Sequence, residues 1–154
     1  MKIAFQMDPI ESVDINADST FRLAEEAQKR GHDLYVYTPN DLTFNRGKIA
    51  AKVRSISLKR IIGDHVSFGA LEIVDLTEFD VIWLRQDPPF DMGYITNTHL
   101  LDLVARKTLI VNNPFWVRNL PEKLLVLEFP DLIPDTVISR DLEEIKEFKR
   151  KFKD

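Results

Sequence analysis

The stretch from residue 81 to residue 91 constrains the fold more than any other part of the chain. Its first four residues, Val-Ile-Trp-Leu, are apolar without alternation, which is typical of a strand buried on both faces of a parallel sheet. Charge follows abruptly at Arg85, Asp87 and Asp91, around a Pro-Pro pair. Open α/β sheets bind ligands at the carboxyl ends of their strands. The stretch therefore predicts a central strand that ends in a ligand-binding loop.

Strand and helix patterns alternate around this stretch. The first helix begins with a good N-cap, Asp18 or Ser19, and ends before Gly31, a natural residue just after a helix. No G-x-G-x-x-G follows the first strand, which excludes a standard dinucleotide-binding dehydrogenase. The fold class is α/β: a Rossmann-like, open, mainly parallel sheet flanked by helices. The predicted elements are strands at 2–7, 33–37, 81–84 and 108–111, and helices at 19–30 and 93–106.

An antiparallel hairpin interrupts this order between residues 41 and 58. Asn45-Arg46-Gly47 is a turn signal, and apolar residues then alternate with polar ones from Ile49. The alternation changes phase before Ile56, which predicts a β-bulge near Arg54-Ser55. Residues 71–74 are a candidate strand to pair with the hairpin.

The last part of the chain predicts a helix from Glu122 to Phe129, with Pro121 at its first position, and a short strand at 136–138. Asp141 caps a final amphipathic helix. Because that helix has no stop signal and its phenylalanines need a packing partner, we expect the chain to be cut within a longer protein. The alternative is that the helix docks on the sheet as a terminal element.

Composition excludes several classes of function. The 154 residues carry a formal charge of −4 and no cysteine, so nucleic acid is not an expected partner, and disulfides and thiol chemistry are excluded. No apolar run reaches the ~20 residues that a membrane helix needs, and no signal peptide is recognisable. We therefore expect a cytoplasmic protein.

Polar residues follow the ends of three predicted strands: Asp8, then Arg85 with Asp87, then the pair at 112–113. If these strands are parallel neighbours, the residues share one edge, where Arg85 would bind a carboxylate or phosphate and the aspartates an ammonium. The helix start at Asp18-Ser19 would add backbone donors. This favours a zwitterionic, amino-acid-like ligand. Alternatively, Asp8 is only a turn residue and Arg85 pairs with Asp87; no nucleophile–base pair, metal cluster or P-loop is present.

The chain resembles the N-terminal part of prokaryotic-type glutathione synthetases. The Arg-Gln-Asp-Pro-Pro-Phe-Asp segment differs from the family motif only at Gln86, where the family has lysine. The resemblance covers essentially the whole chain. The segments that carry it are 7–10 (Met-Asp-Pro-Ile), Asp18-Ser19, 85–91, 111–114, 119–124 and 129–136.

The resemblance implies an ATP-dependent carboxylate–amine ligase that joins γ-glutamylcysteine to glycine through an acyl phosphate, with ATP and Mg²⁺ in the full-length enzyme. Residues 1–120 would be the pre-ATP-grasp substrate domain and residues 121–154 the start of an ATP-grasp domain. Arg85 would be the catalytic residue, holding a substrate carboxylate or the developing oxyanion. Asp8, Asp18, Ser19 and Asp87 would line the substrate site. Lys123 would reach the nucleotide phosphates.

The family enzyme is roughly twice this length, and the missing part is the ATP-grasp core with its magnesium ligands. We therefore expect no protein metal site on this chain, no tight binding of ATP or another cofactor, and no glutathione synthesis by the chain alone. The resemblance to an oligomeric family also implies a homo-oligomer, with the hairpin at 41–58 as a candidate contact. The alternatives are a free-standing, non-catalytic small-molecule binding or oligomerisation module, and another ATP-grasp ligase with a different acceptor.

Overall fold

The computed structural model describes residues 1–152, apart from the side chain of Glu122. By their internal contacts the residues form two units, Met1–Asn119 and Leu120–Asp154. The strands of the first unit are β1 Lys2–Met7, β2 Asp33–Tyr37, β3 Leu42–Asn45, β4 Lys48–Leu58, β5 Val66–Asp75, β6 Val81–Arg85 and β7 Leu109–Val111. Its α-helices are α1 Ser19–Lys29, α2 Met92–Val104 and α3 Pro114–Asn119.

The seven strands form one mixed sheet in the order β3-β4-β2-β1-β6-β7, with β5 also paired to β4. Strands β2, β1, β6 and β7 are parallel, whereas β4 is antiparallel to β2, β3 and β5. The prediction of an open α/β sheet flanked by helices is confirmed. The prediction that it is mainly parallel is wrong, because the antiparallel strands of the hairpin and β5 are part of the same sheet.

The predicted bulge lies where β4 pairs with β5. The register shifts between Arg54 and Ile56, so that Ser55 of β4 faces two residues of β5, Gly69 and Ala70. With eleven residues, β4 is long enough to pair first with β3 and then with β2 along one edge. The length of β4 therefore allows one strand to connect the hairpin to the parallel strands.

Each face of the parallel strands carries a hydrophobic core. On one face, Ile3, Phe5 and Met7 pack with Phe21 and other apolar residues of α1. On the other face, Ala4, Ile82 and Leu84 pack with buried apolar residues of α2. Because β1 is buried at all of its last five positions, its side chains cannot reach solvent until the strand ends.

The second unit contains α4 Glu122–Leu125 and α5 Leu142–Lys151. Pro121 is the N-cap of α4 rather than its first residue, and short 3₁₀ turns replace the rest of the predicted helix. The predicted strand at 136–138 is wrong: these residues have no regular structure, and no described strand offers the backbone partner that a strand requires. The last helix and its Asp141 cap are confirmed. The prediction about the chain end at Asp154 lies outside the described residues.

Candidate functional site

The carboxyl ends of β1 and β6 lie side by side at one edge of the sheet. The two strands are parallel, and Met7 pairs with Arg85, so the loops that carry Asp8 and Asp87 leave the sheet together. The backbone N–H of Asp87 donates to Oδ2 of Asp8 at 2.8 Å. Asp8 is therefore more than a turn residue, because its carboxylate joins the two loops.

Arg85 extends from the end of β6 towards the start of α1. Its Nε donates to Oγ1 of Thr20 at 2.9 Å, and its Nη2 donates to Oγ of Ser19 at 2.8 Å. Within the described part of the chain no carboxylate forms an ion pair with Arg85, and the alternative pairing with Asp87 is absent. Neutral hydroxyls thus orient the guanidinium and leave its charge available.

Asp18 caps the helix that supplies these hydroxyls. Its Oδ1 accepts the backbone N–H of Phe21 at 2.6 Å, the usual bond of an N-cap carboxylate. The first turn of α1 therefore points its positive end at the same region as Arg85. Asp18 has a structural task here in addition to any contact with a ligand.

A first cavity of about 210 Å³ lies among these groups. The five first-unit residues that the family resemblance assigns to the site line it, which brings together side chains separated by as many as 79 positions. Its charged groups are one guanidinium and three carboxylates. The lining residues are Met7, Asp8, Val13, Ala17, Asp18, Ser19, Thr20, Arg85 and Asp87.

A second cavity of about 330 Å³ shares Asp8 and Asp87 with the first. Its lining contains three carboxylates and no basic side chain. Asp91, one of the three, caps α2 by accepting the backbone N–H of Tyr94 at 2.9 Å. The other polar side chains that line it are Thr38, Asn40, Gln86, Tyr94 and Asn97.

Tyr94 lines the second cavity, and nearby charged groups shift the pKa of its phenol. Partial burial raises its pKa above the usual value, the positive charge of Arg85 opposes that increase, and the negative charge of Asp87 adds to it. The charge of Arg85, which lines the first cavity, therefore also acts on a group that lines the second.

Two sets of predicted residues lie elsewhere. Asn113 caps α3, its Oδ1 accepting the backbone N–H groups of Phe115 and Trp116 at 3.0 and 3.3 Å, which is a structural role. Lys123 lies on α4 in the second unit, and its role as a nucleotide ligand stays a prediction.

Sequence reasoning missed several lining residues of the two cavities. Thr20 carried a weak signal, since it directly follows the predicted cap. Gln86 carried a stronger one, as the single departure from the family motif, but it was not assigned a role. For Tyr94 and Asn97 no signal was present, because helical spacing alone does not show which face of α2 meets the sheet edge.

Two further findings concern only the described residues. Within 1–152, no three His, Cys, Asp or Glu side chains come together in a way that could hold a metal ion. None of the helices in that range has the length and apolar character needed to span a membrane.

The fold and the edge define an α/β domain with two adjoining polar cavities of small-molecule size. Residues 1–118 match the family model described as prokaryotic glutathione synthetase, N-terminal domain. The chain belongs to this family.

Curated relatives agree with the family match. The chain is 53% identical to a glutathione synthetase of Brucella melitensis over 154 residues, covering 100% of this chain and 49% of the relative. A glutathione synthetase of Mesorhizobium japonicum is 50% identical over 154 residues, with coverage of 100% and 49%. One from Vibrio parahaemolyticus is 37% identical over 155 residues, with the same coverage. The chain thus spans about half the length of the curated relatives it matches.

Proposed function

We propose that this chain is the substrate-binding, N-terminal part of an ATP-dependent ligase that joins γ-glutamylcysteine to glycine. The cysteinyl carboxylate would be phosphorylated by ATP, and the glycine amine would then attack the acyl phosphate and release phosphate. The observation that carries the proposal is the match of the whole chain to glutathione synthetases from several bacteria. The accessible guanidinium of Arg85 supports it chemically.

Arg85 would hold a carboxylate of the dipeptide or the oxyanion that develops on it. A guanidinium has five N–H donors in a fixed plane, and bonds to Ser19 and Thr20 engage its Nε and Nη2. The remaining donors suit a bidentate carboxylate contact. Since these bonds fix the guanidinium in advance, binding would require little reorganisation.

The other predicted residues would act around this contact. Asp8 and Asp87, which line both cavities, would accept from the ammonium group of the ligand. Asp18 and Ser19 would position the start of α1 towards the ligand's anionic end.

ATP and Mg²⁺ belong to the remainder of such an enzyme in this proposal. Magnesium, when bound, would neutralise phosphate charge, but no described group of residues fits it. We therefore propose no role for residues 1–152 in holding it. Residues 1–120 would form the substrate domain and 121–154 the start of an ATP-grasp domain, with Lys123 near the nucleotide. We also propose that the enzyme is a cytoplasmic homo-oligomer and that the hairpin 41–58 forms a contact between its subunits.

The test is Arg85→Gln in the protein at its full natural length, measured by steady-state ADP release with each substrate varied. We expect kcat/KM for γ-glutamylcysteine to fall about 100-fold, because a hydrogen bond to a charged group contributes roughly 1.5–3 kcal/mol. An effect on KM would assign Arg85 to the bound carboxylate, and an effect on kcat to the oxyanion.

Arg106→Gln is the matched control, since Arg106 is exposed and lines neither cavity. If kcat/KM for the dipeptide is the same in both variants, the role of Arg85 is refuted. If the natural protein binds the dipeptide without turnover, the non-catalytic binding module is the better description.

A further inference from the structure

Gln6 is a buried carboxamide at the edge of the sheet. It is the second-to-last residue of β1, and its exposed fraction is 0%. Burying a carboxamide is costly unless hydrogen bonds compensate for the lost water. Its Oε1 nevertheless has no partner among the described residues. Packing alone therefore does not account for a glutamine at this position, where an apolar residue would fit the core.

This carboxamide is hydrogen-bonded to a residue at the edge of the sheet where the two cavities lie. Nε2 of Gln6 donates to Oε1 of Gln86 at 2.6 Å. Gln86 directly follows Arg85 and lines the second cavity. Because its Oε1 is already engaged by Gln6, the end of Gln86 that remains for another molecule is Nε2, a donor of two hydrogens.

Arg85 and Gln86 serve different cavities. Arg85, the last residue of β6, lines the first cavity, whereas Gln86, which directly follows the strand, lines the second. The second cavity has only carboxylates as charged groups, so it repels an anion. Its carboxamide donor suits an acceptor without charge, such as an amide carbonyl.

We propose that Gln86, positioned by the buried Gln6, is a specificity-determining residue that donates a hydrogen bond to the uncharged amide carbonyl of a dipeptide whose carboxylate is held by Arg85. The inference rests on the proposed function and adds a recognition group in the second cavity. Gln6 is a positioning residue in this scheme, because it acts only through Gln86.

The experiment compares Gln86→Leu, Gln6→Leu and the double variant in the protein at its full natural length, by steady-state kinetics with γ-glutamylcysteine varied. We expect KM to rise about tenfold for Gln86→Leu with kcat nearly unchanged, since one hydrogen bond to the bound ligand is lost. Gln6→Leu should raise KM about threefold. The double variant should match Gln86→Leu, because residues that act through one contact are not additive.

Gln28→Leu is the matched control. Gln28 is also a half-buried glutamine, but its carboxamide bonds only to the backbone of Leu58, at 2.9 and 2.6 Å, and it lines neither cavity. This variant should lower the melting temperature and leave KM unchanged. Gln6→Met, which preserves the volume of the side chain, should repeat the result of Gln6→Leu if the leucine variant folds poorly.

Gln86→Glu adds a second readout. The introduced carboxylate replaces the donor and adds negative charge to an acidic cavity, so we expect a larger rise in KM than for Gln86→Leu. This rise in KM should become smaller as pH is lowered, because the carboxylate is then protonated.

The outcomes separate the two proposals. If Arg85→Gln raises KM but Gln86→Leu behaves like Gln28→Leu, the inference about Gln86 is overturned and the proposed function stands. If the single effects of Gln6→Leu and Gln86→Leu add in the double variant, the positioning role of Gln6 is overturned. If the natural protein neither binds nor turns over the dipeptide, the proposed function fails and the inference fails with it.

Discussion

The hydroxyl group of Tyr37 shows how a single buried polar atom affects this protein. Tyr37 pairs with Gln6 in the sheet, is 2% exposed, and its hydroxyl has no hydrogen-bond partner among the described residues. Burial raises the pKa of this phenol, because the charged phenolate is not stabilised in an apolar core. The native state therefore keeps the phenol protonated at pH values where the unfolded chain loses the proton.

This gives a prediction about Tyr37→Phe. At pH 7 the variant should be as stable as the wild type or up to about 1 kcal/mol more stable, since an unpaired buried hydroxyl is removed. The contribution of Tyr37 is complete below the unfolded pKa of about 10 and is lost as pH rises through the raised folded value. Urea unfolding at pH 7 and above pH 10 should therefore show a smaller alkaline loss for the variant.

Tyr37→Leu distinguishes the contribution of the aromatic ring to stability from that of the hydroxyl. It should lose about 2–4 kcal/mol at pH 7 because the core loses ring contacts. If Tyr37→Phe loses as much stability at alkaline pH as the wild type does, another titratable group causes that loss.

At the scale of elements, the bulge where β4 pairs with β5 brings two residues into close approach. Gly69 of β5 lies in this bulge, and a Cβ placed there would be 2.1 Å from Oγ of Ser55 and 3.5 Å from its Cβ. The conflict therefore involves the hydroxyl and not the backbone. Glycine is required at this point of the strand by close approach, not by a special backbone angle.

Gly69→Ala should accordingly destabilise the protein by about 1–3 kcal/mol, the usual cost of an added group in a packed site. Ser55→Ala removes the hydroxyl, so Gly69→Ala in that background should recover most of the loss. A double-mutant cycle by chemical unfolding measures the coupling between the two positions. Equal losses in both backgrounds would contradict the steric explanation.

At the scale of the whole molecule, the main fact is that this chain matches about half of each relative. The first unit carries the two cavities, and the second unit carries Lys123. In the proposed function, the nucleotide and the metal are bound mainly by residues that this chain does not contain. In that proposal, activity would require residues beyond these 154.

The corresponding prediction concerns the 154-residue chain alone. Mixed with ATP, magnesium, γ-glutamylcysteine and glycine, it should release no more ADP than the buffer does, whereas a full-length glutathione synthetase assayed in parallel should be active. Chromatographic quantification of ADP is the measurement. Stoichiometric or catalytic release of ADP by the chain alone would refute the proposal that the nucleotide and the metal are bound mainly by residues outside this chain.

Much of the fold follows from local information. The boundaries of β1 and β2, the cap at Asp18 and the phase change near Ser55 were all predicted from neighbouring residues and agree with the structure. The failures have a common cause. The predicted strand at 136–138 lacks a pairing partner. The sheet is mixed and not mainly parallel because β4 pairs with β2. Strand pairing between distant segments cannot be read from a local sequence pattern.

The sequence by itself determined which segments are strands and helices and which charged residues follow them, because hydrophobic periodicity, caps and turn residues act over a few positions. Only the tertiary structure decided what those residues contact. It directed Arg85 to hydroxyls of α1 and not to Asp87, and it joined Gln6 to Gln86 across 80 positions. The physical reason is that such contacts depend on strand register and on which face each side chain occupies, and both are fixed only when distant parts of the chain pack together.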